Sequence, residues 1–185
     1  MKTTPILASI VVGFTAIAAF AHGGAMGIVK ERMDAMDAMG KAVKSVAPMM
    51  QGTTDYNAET VKQAAALFLQ HSGEAMTSLF PEGSGAAPSE AKATVWSDWD
   101  EFSELAERLG VAAEGLAKAA DNGLMMGGNT SKSASDMMGG GGMMGASPAT
   151  NMSVAQIAAM PADQAFTIVS QVCTACHTKY RAENK

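Results

Sequence analysis

Apolar residues recur along this chain at alternating steps of three and four, the spacing that places them on one face of an α-helix. The first such stretch starts at Val29, and Pro48 is expected to end its helix, because proline removes a backbone hydrogen bond and clashes with the preceding turn. The second stretch predicts a helix from Ala58 to Leu79, with Gly73 as a weak point.

Two further stretches complete the pattern. The third helix is predicted to begin near Ser97, whose hydroxyl can cap free amides, and to end at 121–123. Ser153 is a predicted cap for a short turn, Pro161 interrupts it, and the last helix carries Phe166 to Tyr180. Four amphipathic helices bury their apolar faces most simply in an all-α, antiparallel four-helix bundle.

Composition supports a single helical domain. The chain has 185 residues, of which 48% are hydrophobic and only 5% aromatic, and it contains 16 methionines. A low aromatic content argues against a strand-rich sandwich. The formal net charge of −5 offers no basic surface, so nucleic acid is not an expected partner.

The first 21 residues have the features of a cleaved secretory signal peptide. Lys2 supplies a positive charge, residues 6–20 are apolar, and Ala19-Phe20-Ala21 offers a cleavage site. The apolar run is shorter than the roughly 20 residues that span a bilayer. We therefore expect residues 22–185 to form one exported domain without stable membrane insertion, located in the periplasm.

One strong chemical motif stands on the last helix, at Cys173-Thr174-Ala175-Cys176-His177. This C-x-x-C-H sequence is the attachment motif of c-type haem. Two thiols one helical turn apart can bond the two vinyl groups of a porphyrin, and the adjacent His177 can then bind the iron. The motif predicts one covalently attached haem c, with Cys173 and Cys176 as attachment residues.

Three other interpretations of these cysteines are weaker. A thioredoxin-like redox pair requires a strand before the helix, which the pattern lacks. A zinc site needs further ligands, and the only other histidines are His22 and His71. A disulfide between residues three apart on a helix has poor geometry.

The sixth position of the iron accepts either a side chain or a small molecule. His71 falls beside the apolar face of its helix and is expected at the surface. A methionine thioether is the better candidate ligand, and Met36 lies at the centre of the first helical face.

Several residues together resemble the class II c-type cytochromes, the cytochrome c′ family and its low-spin relatives. These residues are Arg32, Met36 and Gly40, the stretches Leu79–Gly85 and Val95–Trp99, and Cys173, Cys176, His177, Tyr180 and Arg181. The resemblance covers nearly all of the predicted mature chain. It implies a left-twisted four-helix bundle with one haem near the C-terminus, and a homodimer formed through the first two helices.

The resemblance also implies that position 36 decides the subtype. An apolar residue there leaves the iron five-coordinate and open to gases, whereas a methionine binds it. Met36 is therefore the predicted sixth ligand, with Met39 as the rival and an open site as a further alternative. Arg32 is predicted to meet a haem propionate, because an arginine among apolar residues needs an anion; the alternative is a surface position.

Further haem contacts are expected from aromatic and basic side chains. The predicted set is Trp96, Phe102, Tyr180 and Arg181, any of which could instead serve as core or helix-end residues.

Residues 123–152 depart from this pattern, being rich in glycine, serine and paired methionines. They are predicted to form a flexible loop. Thioether sulfur suits Cu(I), so copper binding with His22 is one hypothesis, and a chemically idle insertion is the favoured one.

The leading functional hypothesis is a non-enzymatic periplasmic carrier of single electrons, with His177 and Met36 as axial ligands and redox proteins as partners. A methionine opposite histidine raises the potential. The alternative is a cytochrome c′-like haem protein that binds small gases such as NO and CO.

Overall fold

Helices form nearly all the regular structure of the two ranges that the computed structural model describes, residues 25–125 and 152–182. Seven α-helices are present there: α1 Gly27–Met50, α2 Ala58–Gln70, α3 Gly73–Thr77, α4 Thr94–Ser97, α5 Trp99–Ala119, α6 Val154–Ala158 and α7 Ala162–Tyr180. A 3-10 turn follows α5 at Ala120–Asn122. The predicted signal peptide and most of the predicted loop lie outside the described residues.

The four long helices α1, α2, α5 and α7 pack around one apolar core, which is the bundle that the hydrophobic pattern predicts. Helix α5 is central and packs against α2, α3, α6 and α7, whereas α1 packs mainly on α2 and meets α7 at few points. Phe68, Phe102 and Leu116 are among the largest fully buried side chains. None of the helices in the described ranges combines the length and apolar character of a membrane-spanning segment.

Two predicted helix ends are wrong. Helix α1 continues past Pro48 to Met50, because a proline in the last turn removes a single hydrogen bond while the amides of Gln51 and Gly52 still bond back to the helix. The second helix ends at Gln70 instead of Leu79. The chain breaks there because Gly73 adopts a positive φ of 55°, and only α3 follows.

The helix caps differ in how well they were predicted. Ser97 does not cap the third long helix: it is the last residue of α4, and Asp98 precedes α5 without a side-chain cap bond. Ser153 is confirmed as a cap, because it forms a reciprocal capping box with Gln156 at the start of α6.

Hydrogen bonds connect the two chain segments that flank residues 126–151. The side-chain amide of Asn122 donates to the carbonyl oxygens of Ala158 and Met160 at 2.8 and 2.7 Å. The amide of Ala162 donates to the carbonyl oxygen of Gly123 at 2.8 Å. The end of α5 and the start of α7 are therefore held by direct bonds.

Candidate functional site

A cavity of about 600 Å³ opens between α1 and α7, where these two helices pack least closely. Phe80 and residues 89–91 of the connection between α3 and α4, Val95 of α4 and Phe102 of α5 complete its walls. Among the sequence-predicted site residues, those that line it are Arg32, Met36, Phe102, Cys176, His177, Tyr180 and Arg181. A volume of this size suits a cofactor-sized ligand.

Helix α1 supplies one wall through residues spaced by four. Arg32, Met36 and Gly40 lie on successive turns and all line the cavity. A Cβ atom placed on Gly40 would meet nothing within 4 Å. This wall therefore places the Met36 thioether between two charged side chains, Arg32 before it and Lys44 beyond Gly40.

Helix α7 supplies the opposite wall and the haem-attachment motif. Cys176 and His177 line the cavity, while Cys173 lies one turn earlier, half-buried against the core. Partial burial and, second, the positive charge of Arg181 lower the pKa of His177. The neutral imidazole that a lowered pKa favours is the form that binds a metal.

No disulfide joins Cys173 and Cys176, and the surroundings of both thiols favour the protonated form. Burial raises the pKa of Cys173, and burial followed by the charge of Cys173 raises the pKa of Cys176 to about 11. Reactive redox pairs instead have thiols with a lowered pKa. Within the described ranges, no group of three or more His, Cys, Asp or Glu side chains could hold a metal ion.

Arg32 is buried, with only 4% of its surface exposed, so the surface alternative is wrong. Its guanidinium donates to the carbonyl oxygens of Leu79 and Ser84 and to the hydroxyls of Ser84 and Ser89. All these acceptors are neutral, and burial lowers the pKa of Arg32. A buried cation with only neutral partners in the described chain is suited to an anionic group entering the cavity.

Three aromatic rings form an apolar corner of the cavity. The ring of Phe102 lies 5.3 Å from that of Tyr180 and 4.9 Å from that of Phe80, both in edge-to-face geometry. Phe102 and Tyr180, both predicted haem contacts, line the cavity. Phe80 was missed because it lies in a connection without helical periodicity, although a large apolar residue before a proline was a usable signal.

Three residues weighed as haem contacts or ligands lie elsewhere. Met39 is 6% exposed and belongs to the core, outside the cavity lining. Trp96 does not line the cavity either; its ring nitrogen donates to the carbonyl oxygens of Phe80 and Pro81 at 3.0 and 3.2 Å. His71 follows the last residue of α2 and is partly buried. The proposed copper-binding residues between 126 and 151, with His22, lie outside the described residues.

The connection before α4 adds cavity residues that the sequence analysis missed. Ser89, Glu90 and Ala91 of this connection line the cavity, and so does Val95 of α4. Glu90 forms an ion pair with the Nε atom of Arg181 at 2.7 Å. Nothing in the sequence marked Glu90, because its role depends on a contact with a residue 91 positions away.

A family model described as Cytochrome C' matches residues 27–140, more than half of the chain. This chain belongs to the cytochrome c′ family. A cytochrome c' from Pararhodospirillum photometricum is 40% identical over 96 residues, covering 51% of this chain and 75% of that protein. Cytochrome c′ proteins bind one covalently attached haem c, so this chain is a haem protein.

Solved cytochrome c′ structures share the bundle. One is the nitric oxide complex of a variant from Alcaligenes xylosoxidans, 20% identical, with a TM-score of 0.55 and coverage of 84% of this chain and 94% of that one. Another is a cytochrome c' described as having ligand-controlled dimer dissociation, 19% identical, with a TM-score of 0.57 and coverage of 84% and 95%. These similarities confirm the predicted four-helix fold.

The residues at the cavity fit a haem c group. Cys176 and His177 stand together at one wall, and apolar rings and a buried cation provide surroundings for a porphyrin and its carboxylates. The attachment motif itself lies beyond the residues that the family model matches.

Proposed function

We propose that this protein is a periplasmic monohaem cytochrome c′ that binds small gas molecules, with its haem attached to Cys173 and Cys176 and its iron held by His177. Residues 1–21 supply the export signal. The observation that carries the proposal is the placement of Cys176 and His177 on one wall of a cavity whose facing wall is formed by α1. Family membership and similarity to a protein solved as a nitric oxide complex support it.

When bound, the haem supplies an iron whose sixth position accepts a small molecule or a side chain. The chain's own residues prepare the surroundings. Phe102, Phe80 and Tyr180 give the cavity an apolar corner for the porphyrin, and Arg32 offers its charge to a propionate. Gly40 leaves space on the wall of α1 beside Met36, where a diatomic molecule could be admitted.

Electron transfer is the second candidate, and Met36 is the observation that favours it. This residue lies in the cavity lining on the wall facing His177, and a thioether in that place is a suitable iron ligand. If Met36 held the iron permanently, it would supply the same ligand in both redox states. In this case the partners are redox proteins and gases are excluded.

We also propose that the protein associates as a homodimer. The similarity to a cytochrome c' with ligand-controlled dimer dissociation supports this assembly. For this chain it remains a prediction.

The visible spectrum of the exported holoprotein, oxidised and reduced, with and without carbon monoxide, tests the function. For a gas-binding protein we expect the reduced spectrum to change promptly on addition of the gas, in the wild type and in Met36→Leu alike. For an electron carrier we expect a low-spin reduced spectrum that carbon monoxide does not change, and conversion to a gas-responsive high-spin spectrum in Met36→Leu.

Met39→Leu is the matched control, because it exchanges the same side chains one turn away in the core. It should leave the spectrum of the wild type unchanged. Absence of covalently bound haem in the wild type would contradict both candidate functions.

A further inference from the structure

The last turn of α7 carries His177 and ends the described helix at Tyr180. An α-helix leaves its last four carbonyl groups without partners inside the helix, and such ends fray unless other groups bond them. In this helix the four carbonyls belong to residues 177–180. The hydrogen bonds that these carbonyl groups accept determine how firmly His177 is oriented.

A segment more than 80 residues earlier in the chain satisfies three of these carbonyls. The backbone amide of Lys92 donates to the carbonyl oxygen of Tyr180 at 2.8 Å, and its ammonium group donates to that of Thr178 at 3.1 Å. The hydroxyl of Thr94 donates to the carbonyl oxygen of Lys179 at 3.1 Å.

The same segment also holds the residues that follow the helix. The amide of Ala182 donates to the carbonyl oxygen of Glu90 at 2.8 Å, and Ala91 pairs with Arg181 as an antiparallel bridge. The carboxylate of Glu90 binds the side chain of Arg181. The fourth carbonyl, that of His177, accepts the amide of Arg181 at 3.1 Å, so this bond depends on the bridge as well.

We propose that residues 90–94, here called the clasp, position His177 as the axial ligand of the haem iron. This inference rests on the proposed function. Lys92 and Thr94 are positioning residues: they act on the iron ligand through the backbone of its helical turn and do not themselves line the cavity.

The physical basis is the free energy of local opening. Terminal turns open more readily than helix interiors, and each lost hydrogen bond lowers the cost of opening. The carbonyl group of Lys179 is half-buried, so losing the Thr94 hydroxyl leaves it poorly solvated, which adds to the free-energy cost of the substitution. The imidazole then samples a wider range of orientations, because fewer bonds hold the backbone of its turn.

The test is the proton NMR spectrum of the ferric full-length holoprotein, in which the haem-methyl resonances report the orientation of the axial imidazole. We expect Thr94→Val, which keeps the shape and removes the hydroxyl, to shift these resonances and the reduction potential. Thr94→Ser restores the donor and should return both to the wild-type values. Lys92→Met removes only the ammonium group and should shift them in its own right, which keeps the test valid if Thr94→Val fails to fold.

Thr167→Val is the matched control. The hydroxyl of Thr167 donates to the carbonyl oxygen of Asp163 at 2.9 Å, near the opposite end of the same helix. The haem-methyl resonances of Thr167→Val should match those of the wild type. Unchanged resonances in Thr94→Val and Lys92→Met, or an equal shift in Thr167→Val, would overturn the proposal. A wild type without haem resonances would instead overturn the proposed function, so the two failures are distinguishable.

Discussion

The guanidinium carbon of Arg32 lies 4.8 Å from the centroid of the Phe80 ring, so a buried cation and an aromatic face share one wall of the cavity. Arg32 also joins α1 to the connection that follows α3 by its bonds to Leu79, Ser84 and Ser89. One side chain thus fixes a loop and places a positive charge beside the proposed haem.

Replacing Arg32 by glutamine should lower the free energy of unfolding by about 3 kcal/mol, because a hydrogen bond to a charged group contributes about 1.5–3 kcal/mol and several are lost. Urea denaturation of the holoprotein measures the change. Lys118→Gln is the control: its ion pair with Glu114 is exposed, and such pairs contribute less than about 1 kcal/mol. Equal effects of the two substitutions would show that Arg32 has no special structural role.

The cysteine thiols of the haem-free full-length chain should react slowly at neutral pH. The pKa of Cys176 is raised to about 11, so its reactive thiolate is scarce at pH 8 and increases as the pH approaches 11. The rate of alkylation by iodoacetamide, measured from pH 7 to 11, checks this. A peptide of residues 171–179 is the control and should titrate near the ordinary value of about 8.5. Identical pH profiles would contradict the burial of the thiol.

Gly115→Ala should destabilise the contact between α5 and α6 by about 1–3 kcal/mol, the usual cost of overpacking. A Cβ atom at Gly115 would lie 2.5 Å from the Cβ of Ile157, which is fully buried. Thermal unfolding of the single and double variants with Ile157→Gly forms the appropriate cycle, because alanine would keep the Cβ atom that the added methyl group meets. In the double variant the added methyl group should cost less than in the single variant, and strict additivity would rule out the predicted clash.

The sequence predicted the bundle well because burial repeats along each helix. It failed at helix ends, where single backbone conformations decide the outcome. Pro48 was tolerated in a last turn, and the positive φ of Gly73 ended a helix that its apolar pattern would have continued.

Prediction of the candidate site also succeeded for local spacing and failed for features that depend on long-range contacts. The C-x-x-C-H spacing predicted Cys173, Cys176 and His177 as haem-binding residues from local spacing on one helix, and Cys176 and His177 of this set line the cavity. Trp96 was assigned to the haem, yet its ring nitrogen holds the connection at Phe80. The role of Glu90 depends on a long-range contact, which no local pattern encodes.

The bonds that join Asn122 and Gly123 to residues 158–162 hold the end of α5 and the start of α7 together without using residues 126–151. The closing contacts are already formed on either side, so added length costs only loop-closure entropy, which grows with the logarithm of length. Residues 126–151 therefore occupy a natural insertion point. New sequence can be gained, lost or exchanged there during evolution while the haem-binding framework is conserved.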